Sequence, residues 1–302
     1  MDSNNRNKNR IFSLLLKILA AIAMLLLIIC FVKTCQNCKQ QQIRTLVIQR
    51  TGYLPENEPW DLIPKENPPY RDEYLDSLPD SVSLEHLFPP IGDQGVKGTC
   101  VAWAVGYNLV TALFAQDNKW TIDELSDPQN QISPADLWLG IPAGKKQKPC
   151  GFTDFWSAFD VLISKGAASM KRVPYSNMGS TCKGGFIGDT NNRIAGFNRI
   201  VSDGELPSVK QLKGYLADTI PLAFSAMVGF VFSSWSGDGV FNSPDNGMTS
   251  GHAMVISGYD DSKHAFRIRN SWGTAWGDEG SAWVDYDFFI NSFCKEVFKA
   301  NN

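Results

Sequence analysis

The strongest constraint on the fold is a change of hydrophobic periodicity within residues 78–302. Apolar residues first recur at helical spacing, in "TCVAWAVGYNLVTALFA", "TDFWSAFDVLISKG" and "SVKQLKGYLADT". Short apolar runs typical of strands follow, in "PLAFSAMVGFVF", "GHAMVISGYD" and "HAFRIRN". A mainly helical half followed by a mainly stranded half predicts an α+β domain of two lobes with a cleft between them.

Helix ends can be placed within the helical half. Thr99 and Ser133 stand where N-cap residues are expected, and Pro134 follows Ser133 at the first helical position. Gly166 is expected to end the helix that contains "TDFWSAFDVLISK".

The N-terminus predicts a membrane anchor. Residues 1–10 are polar and basic, and residues 11–32 are apolar apart from Ser13 and Lys17. A helix of that length reaches about 33 Å, enough to cross a bilayer core. Large side chains follow where a cleaved signal peptide needs small ones, so a retained single-pass helix is favoured over cleavage or over lipid attachment at Cys30. The slight excess of Lys and Arg before this run predicts a domain outside the cytoplasm, in a periplasm or at a cell surface.

Composition limits the partners. Residues 33–77 are rich in Gln, Pro and acidic residues and are predicted to be a flexible linker to the domain at 78–302. The net charge is -3 and there is no basic stripe, so no nucleic-acid partner is expected. The chain has seven cysteines, an odd number, so at least one stays unpaired. Cys35 and Cys38 alone offer too few ligands for a metal site, and no metal or cofactor is predicted.

Cys100, in "GDQGVKGTCVAW", could be a core residue, half of a disulfide or a nucleophile. A helix that begins at Thr99 would lower the pKa of the thiol, and a histidine would have to take its proton. The chain has three histidines. His86 lies in irregular chain and His264 beside a polar turn, whereas His252 opens an apolar strand, so His252 is the predicted base.

Two further residues fit around Cys100 and His252. The strands that flank Asp261 predict a hairpin whose simple register sets Asn270 directly opposite His252, where an amide can orient the imidazole. The side-chain amide of Gln94 and the backbone N–H of Cys100 are predicted to stabilise an oxyanion.

Together, Gln94, Cys100, "GHAMVISGYD" and "RIRNSWGTAWGDEG" are similar to the papain-like cysteine peptidases, and to their bacterial branch in particular. The resemblance implies a helical lobe that carries Cys100 as nucleophile and a β-barrel-like lobe that carries His252 as general base and acid. It also implies that Asn270 orients His252, that Gln94 helps form the oxyanion hole and that Trp272 shields the Asn270–His252 bond. Such a site hydrolyses peptide or protein substrates through a thioester, without a cofactor.

The sequence also departs from that family. Lys97 stands where many members have a cysteine, and Val101 where a tryptophan usually follows the nucleophile. The wall that pairs with substrate would correspond to "CGFT", where Phe152 replaces a glycine beside Gly151. Gly251, next to the base, is a further candidate to line the cleft.

The resemblance bears on the remaining cysteines and on regulation. A disulfide between Cys150 and Cys182 is expected, and Cys294 has no obvious partner. The stretch between anchor and domain is poor in helix signals, so the long helical pro-segment of many members is not expected.

Two other functions stay open. One is an inactive papain-like module that binds peptides or partner proteins, which Lys97 and Phe152 would permit. The other is a thiol-dependent cell-wall amidase, which shares the Cys–His chemistry but neither "NSWG" nor the spacing from Gln94 to Cys100.

Overall fold

The computed structural model describes residues 22, 24–26, 28–36, 41, 50–147, 150–202, 206–245 and 247–302. The chain divides into two compact units, Met1–Thr45 and Leu46–Asn302. In the first unit the stretch 28–36 is helical and exposed. Across the described residues, no helix is both long and apolar enough to cross a membrane. The polar N-terminus predicted at 1–10 and most of the anchor predicted at 11–32 lie outside those residues.

Helices dominate the first half of the second unit. Its α-helices are α1 (Asp72–Leu75), α2 (Cys100–Ala102), α3 (Thr111–Asn118), α4 (Ile122–Ser126), α5 (Pro134–Gly140), α6 (Phe155–Ser164), α7 (Val209–Ala217), α8 (Phe230–Ser233) and α9 (Tyr286–Phe288). A buried π-helical segment, Trp103–Val110, joins α2 to α3, so the chain is helical from Cys100 to Asn118.

Two of the predicted helix ends are confirmed. At the third, the predicted residue precedes the helix but makes no capping hydrogen bond. Ser133 caps α5 by accepting a 3.1 Å bond from Asp136 N, with Pro134 at the first helical position. Gly166 follows α6 with a positive φ of 67°. Thr99 does precede α2, but its hydroxyl lies 2.6 Å from the Tyr175 hydroxyl and makes no cap bond.

The strands form one mixed sheet. They are β1 (Lys65–Glu66), β2 (Ser81–Ser83), β3 (Gly196–Ile200), β4 (Leu222–Val228), β5 (Val240–Phe241), β6 (Ser250–Asp260), β7 (Ala265–Arg269), β8 (Ser281–Asp285) and β9 (Cys294–Asn301). The order is β1-β3-β9-β4-β6-β7-β8-β5, with β2 beside β6. The α2 helix packs against β6 in the centre of this sheet, which brings the start of one against the start of the other.

The hairpin of β6 and β7 does not have the predicted register. Val255 lies opposite Arg269, and a bulge falls between Ile256 and Gly258. This ladder is two positions away from the one that would set His252 directly against Asn270. Next to the turn, Asp260 lies opposite Ala265, three positions from the predicted register, because the turn is centred later than Asp261. The bulge adds a residue to β6 and so reduces the shift to two. Because the shift is an even number of residues, both side chains stay on the same face.

Residues 50–77 are not the flexible linker predicted there. Tyr53 and Ile63 are each only 3% exposed. β1 pairs with β3, and the Tyr70 ring lies 5.1 Å from the ring of Tyr215 on α7. The apolar residues of this stretch show no periodicity because each fills a separate site on the domain instead of one shared face.

Candidate active site

Cys100 is the first residue of α2 and is fully buried. Its Sγ accepts a 3.4 Å hydrogen bond from the backbone N–H of Ala253. That bond fixes the sulfur beside the residue that follows His252 on β6. The predicted nucleophile and the predicted base are therefore brought together by the packing of α2 on β6.

The hydrogen bonds of Asn270 determine the tautomer of His252. Asn270 Oδ1 accepts from the backbone N–H of Ser271 at 2.7 Å, which identifies that atom as the oxygen of the amide. The same Oδ1 lies 2.7 Å from His252 Nε2, so Nε2 carries the proton. Nδ1 is then the basic nitrogen, and it is buried with no hydrogen-bond partner among the described residues.

Trp272 covers the imidazole. Its ring stacks on that of His252 at 4.5 Å with an interplanar angle of 28°, and it is itself buried. Trp276 stands at right angles to Trp272, 5.5 Å away. The His252–Asn270 bond is thus kept from water, which strengthens it.

The side-chain amide of Gln94 is held by three hydrogen bonds. Its Oε1 accepts from Ser271 Oγ at 2.6 Å, and its Nε2 donates to Lys97 O at 2.7 Å. The same Nε2 donates to the carbonyl oxygen of Arg50 at 2.9 Å. The amide therefore presents its donor to a carbonyl oxygen, as an oxyanion hole requires.

A segment of the chain's own N-terminal part fills the cleft. Residues 50–54, here called the cleft segment, run between Thr153 on the helical side and Gly251 on β6. Gly52 N and Tyr53 N donate to Gly251 O at 3.1 and 3.0 Å. Leu54 N donates to Thr153 O at 2.9 Å, and Thr153 N donates to Gly52 O at 2.9 Å. The segment thus pairs with both walls as an added strand.

Of the two walls of the cleft, the one on β6 agrees with the sequence prediction and the one on the helical side does not. Gly251, predicted to line the cleft, accepts from the cleft segment. On the other side, Gly151 O accepts from Trp138 Nε1 at 3.2 Å, and Phe152 O accepts from Gln147 N at 2.9 Å. Pairing falls instead to Thr153, one residue further on.

A disulfide supports the wall. Cys150 and Cys182 are joined, the pairing that the sequence favoured, with an S–S distance of 2.09 Å. Gly98 N donates to Cys150 O at 2.6 Å. The bridge therefore holds the wall against the loop that leads to Cys100.

Sequence reasoning missed the contacts of Tyr53. Its ring packs 5.2 Å from that of Phe155, and its hydroxyl donates to Glu296. Ser225 Oγ donates to Glu296 Oε2 at 2.6 Å. One signal was available: in β9, Glu296 falls on the buried face between Cys294 and Phe298, where a charged residue is unusual.

A second acidic residue, Glu58, ties the chain just after the cleft segment to the helical side. Glu58 is buried and accepts from the backbone N–H groups of Phe155 and Trp156, at 2.6 and 3.3 Å, at the start of α6. Burial and the nearby Asp154 carboxylate raise the pKa of Glu58 to about 8. This carboxyl group therefore holds its proton at neutral pH while the segment is docked.

Burial disfavours the charged forms of both Cys100 and His252. Burial raises the pKa of the Cys100 thiol to about 12, although Cys100 opens a helix as predicted. Burial also lowers the pKa of His252 to about 4, and the positive charge of Arg50 acts in the same direction. Thiol and imidazole are both neutral at pH 7 with the cleft segment in place.

A group with metal-ligand geometry lies elsewhere in the described part of the chain. Ligand atoms of His264, Asp285 and Asp287 lie within 4.8 Å of one another at the surface. They share no residue with the site around Cys100.

Comparison with known proteins agrees with this geometry. Cysteine proteinase 2 of Entamoeba histolytica is 25% identical over 213 residues, which are 69% of this chain and 64% of that protein. Cathepsin S of Bos taurus is 28% identical over 222 residues, which are 71% of this chain and 62% of that protein. The chain thus spans somewhat less than two thirds of the length of these relatives.

Solved structures show the same fold. Xylellain, a cysteine protease from Xylella fastidiosa, has a TM-score of 0.69 at 22% identity, covering 84% of this chain and 97% of that chain. The procathepsin B S9 of Trypanosoma congolense has a TM-score of 0.65 at 16% identity, covering 85% and 88%. The α+β fold with a mixed sheet is thereby confirmed as papain-like. Residues 79–294 match the model of the papain family cysteine protease, so this chain belongs to that family of hydrolases.

Proposed function

We propose that this chain is a membrane-anchored cysteine endopeptidase of bacterial type, which hydrolyses peptide bonds in peptide or protein substrates. The observation that carries the proposal is the bond between His252 Nε2 and Asn270 Oδ1. It leaves His252 Nδ1 as a base without a hydrogen-bond partner among the described residues, and the next residue on β6, Ala253, donates its N–H to the sulfur of Cys100. A thiol with an oriented imidazole is the arrangement needed for nucleophilic catalysis.

The reaction follows from these positions. His252 Nδ1 takes the proton from Cys100 Sγ, and the thiolate attacks the substrate carbonyl carbon. The oxyanion is stabilised by Gln94 Nε2 and the backbone N–H of Cys100. His252 then gives its proton to the leaving amine, which leaves a thioester on Cys100. Water, deprotonated by His252, hydrolyses the thioester and releases the acid and the free thiol.

The way the cleft holds its own segment supports cleavage within a chain. The backbone of residues 52–54 pairs with both walls, and the polypeptide continues on either side of the cleft segment. A groove that accepts the middle of a chain suits an endopeptidase, whereas an exopeptidase needs a closed end.

The same segment explains how activity is restrained. With residues 50–54 docked, Cys100 and His252 are fully buried and both neutral. The carbonyl oxygen of Arg50 accepts a hydrogen bond from Gln94 Nε2, the side-chain donor proposed for the oxyanion. The proposal is therefore a latent enzyme, which becomes active when the cleft segment is displaced.

For localisation, the proposal is a single-pass anchor at 11–32 with the catalytic domain outside the cytoplasm. The apolar run and its flanking charges support it. The disulfide between Cys150 and Cys182 supports it independently, because such bridges persist in oxidising compartments.

Hydrolysis of a mixed peptide library by the full chain, with the cleft segment weakened by Gly52→Ala, tests the function. Addition of Cys100→Ala should abolish hydrolysis, and calorimetry should show that its unfolding temperature is unchanged. Equal hydrolysis with and without Cys100 would refute the mechanism.

One observation favours a second candidate, an inactive module that binds peptides. The cleft already holds an extended segment without access to a reactive thiol. If peptides displace the cleft segment and bind, and none is cleaved, this candidate replaces the first.

A further inference from the structure

Tyr175 contacts the loop that connects the two proposed oxyanion donors. This loop, residues 94–99, is here called the oxyanion loop; it begins at Gln94 and ends just before Cys100. Tyr175 is the first residue of a 3-10 helix, Tyr175–Met178, and its ring packs on that of Trp103 with the centroids 4.8 Å apart. The mechanism described above gives Tyr175 no role.

The hydrogen bonds of the Tyr175 hydroxyl have one consistent direction. The hydroxyl donates to the backbone carbonyl oxygen of Gln94 at 3.0 Å. A hydroxyl has a single hydrogen to donate, so the 2.6 Å bond between Tyr175 and Thr99 is donated by Thr99 Oγ1. The bonds therefore run from Thr99 through Tyr175 to Gln94, and one oxygen atom joins both ends of the oxyanion loop.

The ring of Tyr175 also holds the middle of the loop. The ammonium group of Lys97 lies over this ring, 4.8 Å from its centroid, where a cation is attracted to the aromatic face. The loop itself contains no cysteine, so no disulfide holds it. Tyr175 thus contacts the oxyanion loop at its start, its middle and its end.

The backbone at the two ends of the loop is bound to different parts of the domain. At the start, Gln94 N donates to Ser271 O at 2.9 Å. Near the end, Gly98 N donates to Cys150 O at 2.6 Å, on the wall of the cleft. The bond from Gln94 Nε2 to Lys97 O reaches only the middle of the loop. A movement between the two parts would therefore change the distance between the loop ends if Tyr175 did not join them.

The atoms that Tyr175 joins depend on its hydroxyl. Gln94 and Thr99 are both 0% exposed. Within the part of the chain that the structure describes, Gln94 O accepts no other hydrogen bond and Thr99 Oγ1 makes no other. Burial raises the pKa of Tyr175 to about 12, so the hydroxyl keeps its proton at neutral pH. Loss of the hydroxyl would leave a buried donor and a buried acceptor unpaired, which favours movement of the loop.

We propose, on the basis of the proposed function, that Tyr175 is a positioning residue of the oxyanion hole. Its hydroxyl fixes the distance between Gln94, whose side-chain amide is one donor, and Thr99, which precedes the backbone N–H of Cys100, the other donor. Donors stabilise an oxyanion because they are already in place, and a misplacement of about 1 Å costs about 100-fold in rate. Tyr175 acts through the loop and not on the substrate.

The first experiment compares two reactions of Cys100 in the full chain carrying Gly52→Ala. p-Nitrophenyl acetate acylates the thiol through a tetrahedral oxyanion: the S–C bond forms, the C–O bond to nitrophenolate breaks, and the thiol proton goes to His252. Iodoacetamide alkylates the thiol by displacing iodide from a saturated carbon, so no oxyanion forms. Release of nitrophenolate is corrected with Cys100→Ala. The ratio of the two rates then measures oxyanion stabilisation, because opening of the cleft precedes both reactions and cancels.

Tyr175→Phe keeps the ring on Trp103 and removes only the hydroxyl. The ratio of acylation to alkylation should fall about 10- to 100-fold, because both donors remain but are misplaced. The alkylation rate and its pH profile should stay those of the parent chain, whereas general loosening of the site would change them. Gln94→Ala removes a donor outright, so the ratio should fall further, about 100- to 1000-fold.

Tyr107→Phe is the matched control. The Tyr107 ring also lies 4.8 Å from that of Trp103, and its hydroxyl also donates to a backbone carbonyl oxygen, that of Pro90, at 2.8 Å. Pro90 lies outside the oxyanion loop, so the ratio in Tyr107→Phe should equal that of the parent chain.

Thr99→Val is a second variant that tests the same bonds from the other end. It removes the hydroxyl that donates to Tyr175 with little change of shape, so the ratio should fall in the parent chain. In Tyr175→Phe the same substitution should have little further effect, since residues that act through one network are not additive.

The outcomes separate this inference from the proposed function. An unchanged ratio in Tyr175→Phe and Thr99→Val, together with a fall in Gln94→Ala, overturns the inference and leaves the peptidase intact. An equal fall in Tyr107→Phe would assign the effect to packing on Trp103 and also overturn it. If Gln94→Ala leaves the ratio unchanged as well, the oxyanion hole of the proposed function fails, and the role of Tyr175 fails with it.

Discussion

The carbonyl oxygen of Arg50 lies 2.9 Å from Nε2 of Gln94, and so occupies a donor that the reaction would need. Trp272 Nε1 donates to the same oxygen at 2.9 Å. In addition, the Arg50 guanidinium lies 5.2 Å from the Trp272 ring, and its charge disfavours protonation of His252. One residue of the cleft segment thus blocks the oxyanion donor and weakens the base.

The cleft segment should be displaced by one added methyl group. A Cβ on Gly52 would collide with the backbone of Gly98, which cannot move aside as a flexible side chain could. Gly52→Ala is therefore expected to raise the alkylation rate of Cys100 by about 10- to 100-fold, the range that overpacking gives. Iodoacetamide labelling of the full chain at pH 7.5 measures it.

Gly144→Ala is the matched control for that substitution. Nothing lies within 4 Å of a Cβ built on Gly144. Its rate should equal that of the native chain. An unchanged rate in Gly52→Ala as well would show that Cys100 is not closed off by the cleft segment.

Opening the cleft should also change the pH profile of Cys100. In the closed chain burial raises the pKa of the thiol to about 12 and lowers that of His252 to about 4, so a thiolate–imidazolium pair cannot form near neutrality. In Gly52→Ala water and substrate reach both groups, and alkylation should persist well below pH 7. Adding His252→Ala should return the profile to that of an ordinary thiol, near about pH 8.5. A profile unaffected by His252→Ala would show that His252 does not promote ionisation of the Cys100 thiol.

Asn270 should affect rate more than binding. Its Oδ1 holds the proton of His252 on Nε2, so Asn270→Ala frees the ring to rotate and to change tautomer. General base catalysis contributes about 10²- to 10⁴-fold, and Asn270 orients the base without being the base. We therefore expect kcat in the Gly52→Ala background to fall by only part of that factor, about 10- to 100-fold, with KM little changed. If Asn270→Ala loses activity as completely as Cys100→Ala does, Asn270 does more than orient His252.

The central residues of the site could be predicted because each stands in a short, distinctive stretch of sequence. Cys100 opens an apolar helix, His252 opens an apolar strand, and Asn270 begins "NSWG". The predicted register was wrong by two positions, yet the face was right, because the side chains of a strand alternate with a period of two. His252 and Asn270 therefore meet diagonally rather than as a direct pair.

The cleft segment could not be predicted because its residues show no pattern of their own. Tyr53 is buried by Phe155 and Glu296, which lie far along the chain, so nothing near Tyr53 in sequence announces the contact. Glu58 likewise is bound by the start of a distant helix. A stretch rich in Pro, Glu and Asn is typical of a linker. Whether such a stretch docks on the domain or stays a flexible linker depends on the surface that it contacts.

The disulfide between Cys150 and Cys182 should contribute measurable stability. The bridge closes a loop with a sequence separation of 32, for which chain entropy gives about 3–4 kcal/mol. For a domain of this size that corresponds to a fall of about 7–15 °C in Tm when both cysteines are replaced by serine. Scanning calorimetry measures it, and added reductant should lower the Tm of the native chain but not that of the double variant. A Tm insensitive to both changes would mean that the bridge carries no stability.

Docking of the cleft segment together with Glu58, which follows it, should weaken as pH rises. Glu58 has a pKa of about 8 when docked, against an ordinary value of 4.5, because it is buried beside Asp154. A raised pKa means that the docked state binds an extra proton. Its contribution is complete below about pH 4.5 and is lost progressively as pH rises to about 8. Within that window the opening equilibrium should increase by up to about tenfold per pH unit.

Glu58→Gln separates this effect from ionisation of the thiol itself. The glutamine is neutral like the protonated acid, and its Oε1 can still accept from Phe155 N, although the longer bond from Trp156 N is lost. Its docking should therefore not depend on pH. Thiol ionisation acts equally on both chains and cancels in the ratio of their Cys100 alkylation rates. That ratio, native over Glu58→Gln, should therefore rise between pH 5 and pH 8 with a slope approaching one decade per unit. A flat ratio would show that Glu58 does not link protons to the opening of the cleft.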